Sequence, residues 1–267
     1  MYSHLAIDEG AQDCPVILHV PHASRHIPEE VAAEFVATPE QVEVELDRVT
    51  DTGTDTLAEA AREFAGGRAW SVVSGISRLV ADPGRFYNQR DSMDASGRGA
   101  VYTRMTDGGL LRPLGFDDAA LKAQYFHPYN DAVADVVGGR LRETGGAVIV
   151  DVHSYGNQPE EYRIHAGKLL PDVCIGTHSV HSPAILTDTA AEIFARAGFK
   201  VERNTPFTGV YIPVGFEMNA RVLGIMFEVR DDLLAPGSES ATRAAEALGE
   251  VIAAAEQIAG TEMGRPQ

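Results

Sequence analysis

The sequence has very little cysteine, with only Cys14 and Cys174 among 267 residues. The two lie far apart in apolar runs and show no C-x-x-C spacing. The sequence therefore favours neither a disulfide framework nor a cysteine-based zinc site. We expect both side chains to be reduced thiols in the hydrophobic core.

Basic residues and long apolar runs are also scarce. The chain has 22 Lys and Arg against 39 Asp and Glu, a net charge of −17, whereas nucleic acids and anionic membranes bind clustered basic residues. No run reaches the roughly 18 apolar residues that cross a bilayer, and the start "MYSHLAIDEG" lacks the features of a secretory signal. We expect a soluble cytoplasmic protein without nucleic-acid or membrane partners, and the oligomeric state stays open.

What the sequence does contain is a regular alternation of short apolar runs with alanine-rich stretches of helical period. This alternation predicts an α/β fold, a single domain with a mixed, mostly parallel sheet flanked by helices on both faces. Two segments rich in Gly, Pro and Asn, 82–109 and 203–221, interrupt it and are expected to be functional loops. The predicted strands are 14–20, 68–75, 77–82, 146–154, 172–178 and 224–230, and the predicted helices are 42–64, 117–143, 184–197 and 240–258.

Polar residues follow or end three of the predicted strands. His22 follows the first strand, Asp151 and His153 end another, and Glu228 stands inside the last apolar run. The carboxyl ends of parallel strands meet where ligands bind, and a buried imidazole or carboxylate needs a hydrogen bond, a salt bridge or a metal. Histidines and carboxylates at one edge indicate a catalytic zinc site with three protein ligands and an activated water. A hydrogen-bonded core histidine is the alternative for His22 and for His153.

A third ligand is predicted among three aspartates. Asp47, Asp51 and Asp55 are spaced by four residues, which on a helix stacks three like charges along one face unless a cation lies near them. The alternative is a solvated helix face on which Asp47 pairs with Arg48 or Arg78.

Arginines supply the candidate contacts to an anionic ligand. The Arg78 and Arg85 guanidinium groups can each bind a carboxylate through a bidentate fork. The alternative is a structural pair with one of the many acidic residues. His19 and His26 are expected to be structural or exposed.

Seven segments, in this order, resemble the N-formylglutamate amidohydrolase family, which is similar in its α/β fold to the zinc carboxypeptidase and aspartoacylase group. The resemblance implies zinc-dependent hydrolysis, with one zinc ion per chain, of the amide of a small anionic N-acyl amino acid. In the best-known member the products are formate and glutamate. The segments are "VILHVPHASRHIP", "DRVTDTGTDTLA", "SRLVADPGR", "VIVDVHS", "IGT", "TPFTGVYIP" and "FEVRDDL".

The resemblance also implies roles for the metal-site residues. His22, Asp51 and His153 would bind the metal, with Asp47 left as an alternative to Asp51. Glu228 would be the general base that takes a proton from water and passes it to the leaving nitrogen.

The same resemblance implies a set of substrate-binding residues. Arg78 would act in catalysis and, together with Arg85, bind the substrate carboxylates or polarise the scissile carbonyl. Thr208, Gly209 and Tyr211 would close over the ligand as part of a loop.

The sequence departs from the family pattern near the substrate residues. Gly84 stands where the family often has Asn, so Asn88 is expected to supply the missing amide. The segment "VHSYGNQPEEYR" adds Tyr155, Asn157 and Arg163 as residues that would reshape the pocket. Two alternatives therefore stay open: a metallo-carboxypeptidase or amidase acting on a longer substrate, and a binding protein without turnover.

Overall fold

A computed structural model describes residues 4–85, 93–156 and 170–263. The strands within these residues are β1 Leu5–Asp8, β2 Val16–Val20, β3 Trp70–Ser74, β4 Ala147–Tyr155, β5 Val173–Gly176, β6 Val201–Arg203 and β7 Val222–Arg230. They form one sheet in the order β1-β3-β2-β4-β7-β5-β6. Four of the six pairings are parallel, and β1 with β3 and β5 with β7 are antiparallel. The prediction of a mixed, mostly parallel sheet is confirmed.

Helices cover both faces of this sheet, as predicted. They are α1 Glu29–Ala32, α2 Pro39–Val49, α3 Thr54–Phe64, α4 Ala119–Leu121, α5 His127–Thr144, α6 Ala184–Arg196 and α7 Glu239–Met263, with a π-helical turn at Lys122–Phe126 and 3-10 turns at Asp94–Ser96 and Asp231–Leu233. Helices α3, α6 and α7 pack on one face, and α5 packs on the other. None of the helices in the described ranges is long and apolar enough to cross a membrane.

The alternation of side chains along the central strands decides which face carries the polar residues. In β2, Leu18 packs on the α3 and α7 side, whereas Ile17 packs on the α5 side. Because successive strand residues point to opposite faces, Asp151 and His153 share the α5 side with Ile149. The polar residues at the carboxyl ends of β2, β4 and β7 therefore meet at one edge of the sheet.

Two of the predicted elements are wrong. Residues 77–82 form a turn instead of a strand: the Val80 amide donates to the Ser77 carbonyl, and the Asp82 amide donates to Ala100. The predicted helix 42–64 is two helices, because the chain leaves α2 after Val49 and Gly53 adopts a left-handed φ of +81° before α3 begins. Both errors lie next to the candidate site.

Candidate metal centre

His22, Asp51 and His153 lie together at the carboxyl edge of the sheet, and all three are buried. The Nδ1 atoms of His22 and His153 are 3.2 Å apart. Asp51 Oδ2 lies 2.8 Å from Nδ1 of His153 and 3.3 Å from Nδ1 of His22. Ligand atoms at about 2.0–2.1 Å from a tetrahedral zinc ion are about 3.3 Å from one another. The three atoms are thus spaced as metal ligands are.

Asp51 reaches the histidines because the chain is not helical at this point. It lies in the connection between α2 and α3, where its amide donates to the His22 carbonyl over 3.0 Å. The Thr54 hydroxyl donates to the Asp51 carbonyl over 2.8 Å and fixes the start of α3. The spacing of the aspartates predicted a continuous helix here. The chain instead leaves the helix before Asp51, and this break turns the carboxylate toward the sheet.

The other two aspartates of the predicted stack lie elsewhere. Asp47 is on the surface and accepts a hydrogen bond of 2.8 Å from Arg25, and Asp55 accepts from the Thr56 amide at the start of α3. The pairing of Asp47 with Arg48 or Arg78 considered above is wrong, because Arg25 takes that place. Of the three aspartates, only Asp51 joins the two histidines.

The hydrogen bonds on the far side of each imidazole test whether these residues fit a metal. His22 Nε2 lies 2.7 Å from Asp82 Oδ1, and His153 Nε2 lies 2.9 Å from Asp151 Oδ1. A carboxylate only accepts, so both Nε2 atoms carry the proton, and in the neutral rings both Nδ1 atoms present lone pairs. Two nitrogen lone pairs and a carboxylate oxygen then face one point, which requires a positive charge there.

A proton is the other possible source of that charge. Although burial opposes it, Asp151 and Asp51 raise the pKa of His153 well above its ordinary value. A divalent ion would take the same position with a donor set of two histidines and one carboxylate, which is that of many catalytic zinc sites. The residues present therefore fit a metal ion.

Asp82, the partner of His22, is surrounded by donors and cations. Its Oδ2 accepts from Arg78 Nε and Nη2 at 3.0 and 2.8 Å, from Arg85 Nε at 3.1 Å and from the Tyr102 hydroxyl at 2.8 Å. Although burial alone would raise it, Arg78, His22 and Arg85 hold the pKa of Asp82 well below its usual range. This carboxylate is ionised and fixed.

Asp151, the partner of His153, has no arginine among its hydrogen-bond partners in the described residues. Its Oδ1 also accepts from His19 Nδ1 at 2.7 Å, and its Oδ2 accepts from the Tyr211 amide at 3.0 Å. Burial again opposes ionisation, and the two histidines lower the pKa of the carboxyl group.

Glu228 lies beside this centre. It is the register partner of His153 in the parallel pairing of β4 with β7, and it is partly buried. Burial and the charge of Asp51 raise the pKa of Glu228 to about 8, against the opposing effect of His153 and Arg78. A carboxyl group in this position can exchange protons near neutral pH.

Comparison with known proteins agrees with this geometry. A sequence model of the N-formylglutamate amidohydrolase family matches residues 14–235, most of the chain. The chain belongs to the N-formylglutamate amidohydrolase family. Membership makes it a hydrolase that acts on an amide bond. No curated protein sequence matches the chain.

Two solved structures share the fold. An N-formylglutamate amidohydrolase from Ralstonia eutropha JMP134 has a TM-score of 0.82 at 18% identity, covering 97% of this chain and 99% of its own. A gene product of Agrobacterium tumefaciens has a TM-score of 0.70 at 22% identity, covering 95% of this chain and 96% of its own. At these identities the likeness concerns the fold alone.

In this family member the two arginines predicted to bind substrate both contact Asp82. Arg78 also lies 3.5 Å from Asp51 Oδ1, and Arg85 Nη2 donates to the Tyr102 hydroxyl over 3.1 Å. The alternative of a structural pair thus describes their present contacts, and their substrate role stays a prediction.

The predicted loop residues lie in different surroundings. Thr208 is exposed and donates to Asn204, and Gly209 has a φ of +94°. Tyr211 points inward: its ring stacks on His19 at 4.4 Å, and its hydroxyl donates to Asn130 over 2.6 Å. Closure of this loop over a ligand stays a prediction.

The remaining predicted pocket residues are mostly not placed. Asn88, Asn157 and Arg163 lie outside the described residues. Tyr155 is buried at the end of β4 and its hydroxyl donates to the Pro171 carbonyl, so it belongs to the core.

The Gly84 amide donates to Asp82 Oδ1 over 3.0 Å, and a Cβ at this position would lie 2.8 Å from the His22 ring. Residue 84 must be a glycine because the His22 ring approaches the backbone too closely to leave room for a side chain.

The residues that support the two imidazoles were not predicted from the sequence. They are His19, Asp82, Tyr102 and Asp151 in its supporting role. Asp151 had a local signal, because D-x-H on a strand places both side chains on one face. Asp82 and Tyr102 belong to a turn and an irregular segment and had none.

Proposed function

We propose that this chain is a zinc-dependent amidohydrolase that cleaves the amide of a small N-acyl amino acid, with N-formyl-L-glutamate as the best candidate substrate and formate and L-glutamate as products. The observation that carries the proposal is the convergence of His22 Nδ1, His153 Nδ1 and Asp51 Oδ2 beside Glu228. Family membership supports the reaction class.

The proposal assigns a residue to each part of the reaction. A zinc ion held by His22, Asp51 and His153 supplies Lewis acidity and lowers the pKa of water. Glu228 accepts a proton as water adds to the formyl carbon, and it returns that proton to the nitrogen as the C–N bond breaks. Arg85, at the edge of the cluster, contributes positive charge for the substrate carboxylates.

The test combines metal content with turnover. We expect about one zinc equivalent per chain by mass spectrometry, and formate release from N-formyl-L-glutamate that is lost on chelation and restored by zinc. His153→Ala should lose the metal, whereas His26→Ala, on an exposed loop, should keep it. Activity that survives complete metal removal would contradict the zinc proposal.

Glu228→Gln separates catalysis from binding. It should keep the metal and lose at least about 100-fold in kcat, as expected when a general base is removed. Glu202→Gln is the matched control, because Glu202 is exposed and is a register partner of the same Cys174 that faces Glu228. Equal, negligible turnover in the parent and both variants, with tight ligand binding, would indicate a binding protein instead. If the enzyme cleaved an acidic dipeptide faster than the formyl amino acid, the proposed substrate would be wrong and a longer, peptide-like substrate would take its place.

A further inference from the structure

His19 is a fully buried histidine inside the central strand β2. Its ring stacks on Tyr211, with centroids 4.4 Å apart and planes at 20°, and it lies tilted against Tyr129 at 5.7 Å. A buried imidazole costs free energy unless its polar atoms are hydrogen-bonded. Among the described residues the side chain of His19 makes a single hydrogen bond, and its Nε2 atom has no partner.

That one bond goes to the oxygen that orients a metal-site histidine. Asp151 Oδ1 accepts from His19 Nδ1 at 2.7 Å and from His153 Nε2 at 2.9 Å. Because the oxygen only accepts, both histidines donate to it. One carboxylate oxygen thus joins a histidine of the metal site to a histidine outside it.

We propose that His19 is a positioning residue of the metal centre. It holds Asp151 Oδ1 in place, and Asp151 in turn keeps the His153 proton on Nε2, so that Nδ1 is presented to the metal. The inference rests on the metal site of the proposed function. It explains why a buried strand position next to aromatic rings carries a histidine and not an apolar residue.

Apart from His153 itself, the side chain of Asp151 has two hydrogen-bond partners among the described residues. Its Oδ2 accepts from the Tyr211 amide at 3.0 Å, and its Oδ1 accepts from His19. His19 is therefore the partner that holds the oxygen to which His153 donates. Tyr211 holds His19 from the ring face, so the same loop supports both members of the pair.

Two amide variants separate the hydrogen bond from the volume of the side chain. In His19→Asn the amide nitrogen takes the place of Nδ1, whereas in His19→Gln it takes the place of Nε2 and leaves Asp151 Oδ1 without its donor. His19→Phe keeps the stack on Tyr211 and removes both nitrogens.

Zinc affinity, measured by competition with a chromophoric chelator, gives the first readout. Loss of a partner of this kind weakens metal binding by about 10–100-fold, which we expect for His19→Gln and His19→Phe, while His19→Asn stays within about threefold of the parent. The visible absorption of the Co²⁺ form should follow the same order, changing in His19→Gln and returning in His19→Asn.

The control is another fully buried histidine. In the described residues the hydrogen bonds of the His181 side chain go to the backbone carbonyls of Val222 and Glu217, at 2.7 and 2.8 Å, and its ring lies against His178. None of these residues belongs to the candidate metal centre, so His181→Asn should lower thermal stability without changing zinc affinity. Parent-like zinc binding by folded His19→Gln would overturn the proposal, and so would equal losses in His19→Asn and His19→Gln. If His19→Phe does not fold, His19→Asn and His19→Gln still test whether His19 positions the metal centre. Because zinc affinity needs no substrate, a parent that binds zinc but releases no formate would contradict the proposed function and leave this test intact.

Discussion

Asp82 and Asp151 each accept a hydrogen bond from Nε2 of a histidine at the candidate metal centre, and both are buried. Their surroundings differ. Asp82 is bonded to two guanidinium groups, from Arg78 and Arg85. Asp151 is bonded to an imidazole and to the Tyr211 amide, which carry no fixed charge.

The difference shows two physical ways of fixing a buried carboxylate. Around Asp82 the attraction between opposite charges offsets the cost of burial. Around Asp151 directional hydrogen bonds do so, and a proton on a histidine adds to them. Both guanidinium groups lie on the Asp82 side, where Arg78 is also 3.5 Å from Asp51 Oδ1. Under the proposed function, an anionic substrate would therefore bind toward Asp82 and not toward Asp151.

Replacing each carboxylate by its amide should give the largest difference in unfolding free energy between the two sides of the site. Asp82→Asn leaves the partly buried Arg85 guanidinium without its counter-ion and leaves Arg78 with only Asp51, 3.5 Å away. We expect it to lower the free energy of unfolding by about 3 kcal/mol, the lower end of the range for breaking a buried pair, because Arg78 and Arg85 keep 17% and 21% exposure. Asp151→Asn leaves no guanidinium group unpaired, and His153 keeps Asp51 as a carboxylate partner, so the change should cost about 1–2 kcal/mol. Urea unfolding of the metal-free proteins measures both values.

A double variant checks the physical reason. Arg85→Gln should restore part of the stability that Asp82→Asn loses, because it removes the unpaired charge. The same Arg85→Gln change should restore nothing to Asp151→Asn. Equal losses in the two single variants would show that the charges around Asp82 do not stabilise the fold.

A methyl group at Gly84 should affect the Asp82 side alone. The added Cβ would lie 2.8 Å from Cε1 and 2.9 Å from Nε2 of His22, so the ring or the backbone at residue 84 must shift, which disturbs the contact between His22 Nε2 and Asp82. We expect Gly84→Ala to weaken zinc binding by about tenfold, the lower end of the effect of disturbing such a partner. Chelator competition measures it.

The control for this substitution is a glycine with free space around it. Gly260 is exposed on α7, and a Cβ there would meet nothing within 4 Å. Gly260→Ala should keep parent zinc affinity and stabilise the helix by up to about 1 kcal/mol. Parent-like affinity in Gly84→Ala would mean that the His22 ring can shift without losing its metal geometry.

The sequence predicted the fold well where hydrophobic periodicity is the signal. The strands and helices on either side of the sheet follow from the spacing of apolar residues. The turn at 77–82 was misread, because Leu79, Val80 and Ala81 are buried without being in a strand. A short apolar run shows burial, and burial alone does not distinguish a strand from a buried turn.

The candidate site could be predicted in its ligands but not in their support. His22 and His153 follow from strand ends, whereas the spacing left Asp47, Asp51 and Asp55 open and only the family resemblance singled out Asp51. The support depends on pairs distant in sequence: His22 and Asp82 are 60 residues apart, and His19 and Asp151 are 132 apart. No local pattern records such a pair, so its members appear only when the fold brings them together.

The two tyrosines give the smallest and most selective test of the comparison. The Tyr102 hydroxyl donates directly to Asp82 Oδ2 over 2.8 Å, whereas Tyr211 reaches Asp151 through its backbone amide and uses its hydroxyl on Asn130. Tyr211→Phe removes one hydrogen bond and should cost about 1 kcal/mol of stability, whereas Tyr102→Phe also removes the bond that the hydroxyl accepts from Arg85 and should cost about 2 kcal/mol. Only Tyr102→Phe should also weaken zinc binding, by about threefold, less than a full loss of the partner because both arginines still hold Asp82. An equal loss of zinc affinity in Tyr211→Phe would mean that the Tyr211 hydroxyl also helps to position Asp151, and the two tyrosines would then not differ in their effect on the two carboxylates.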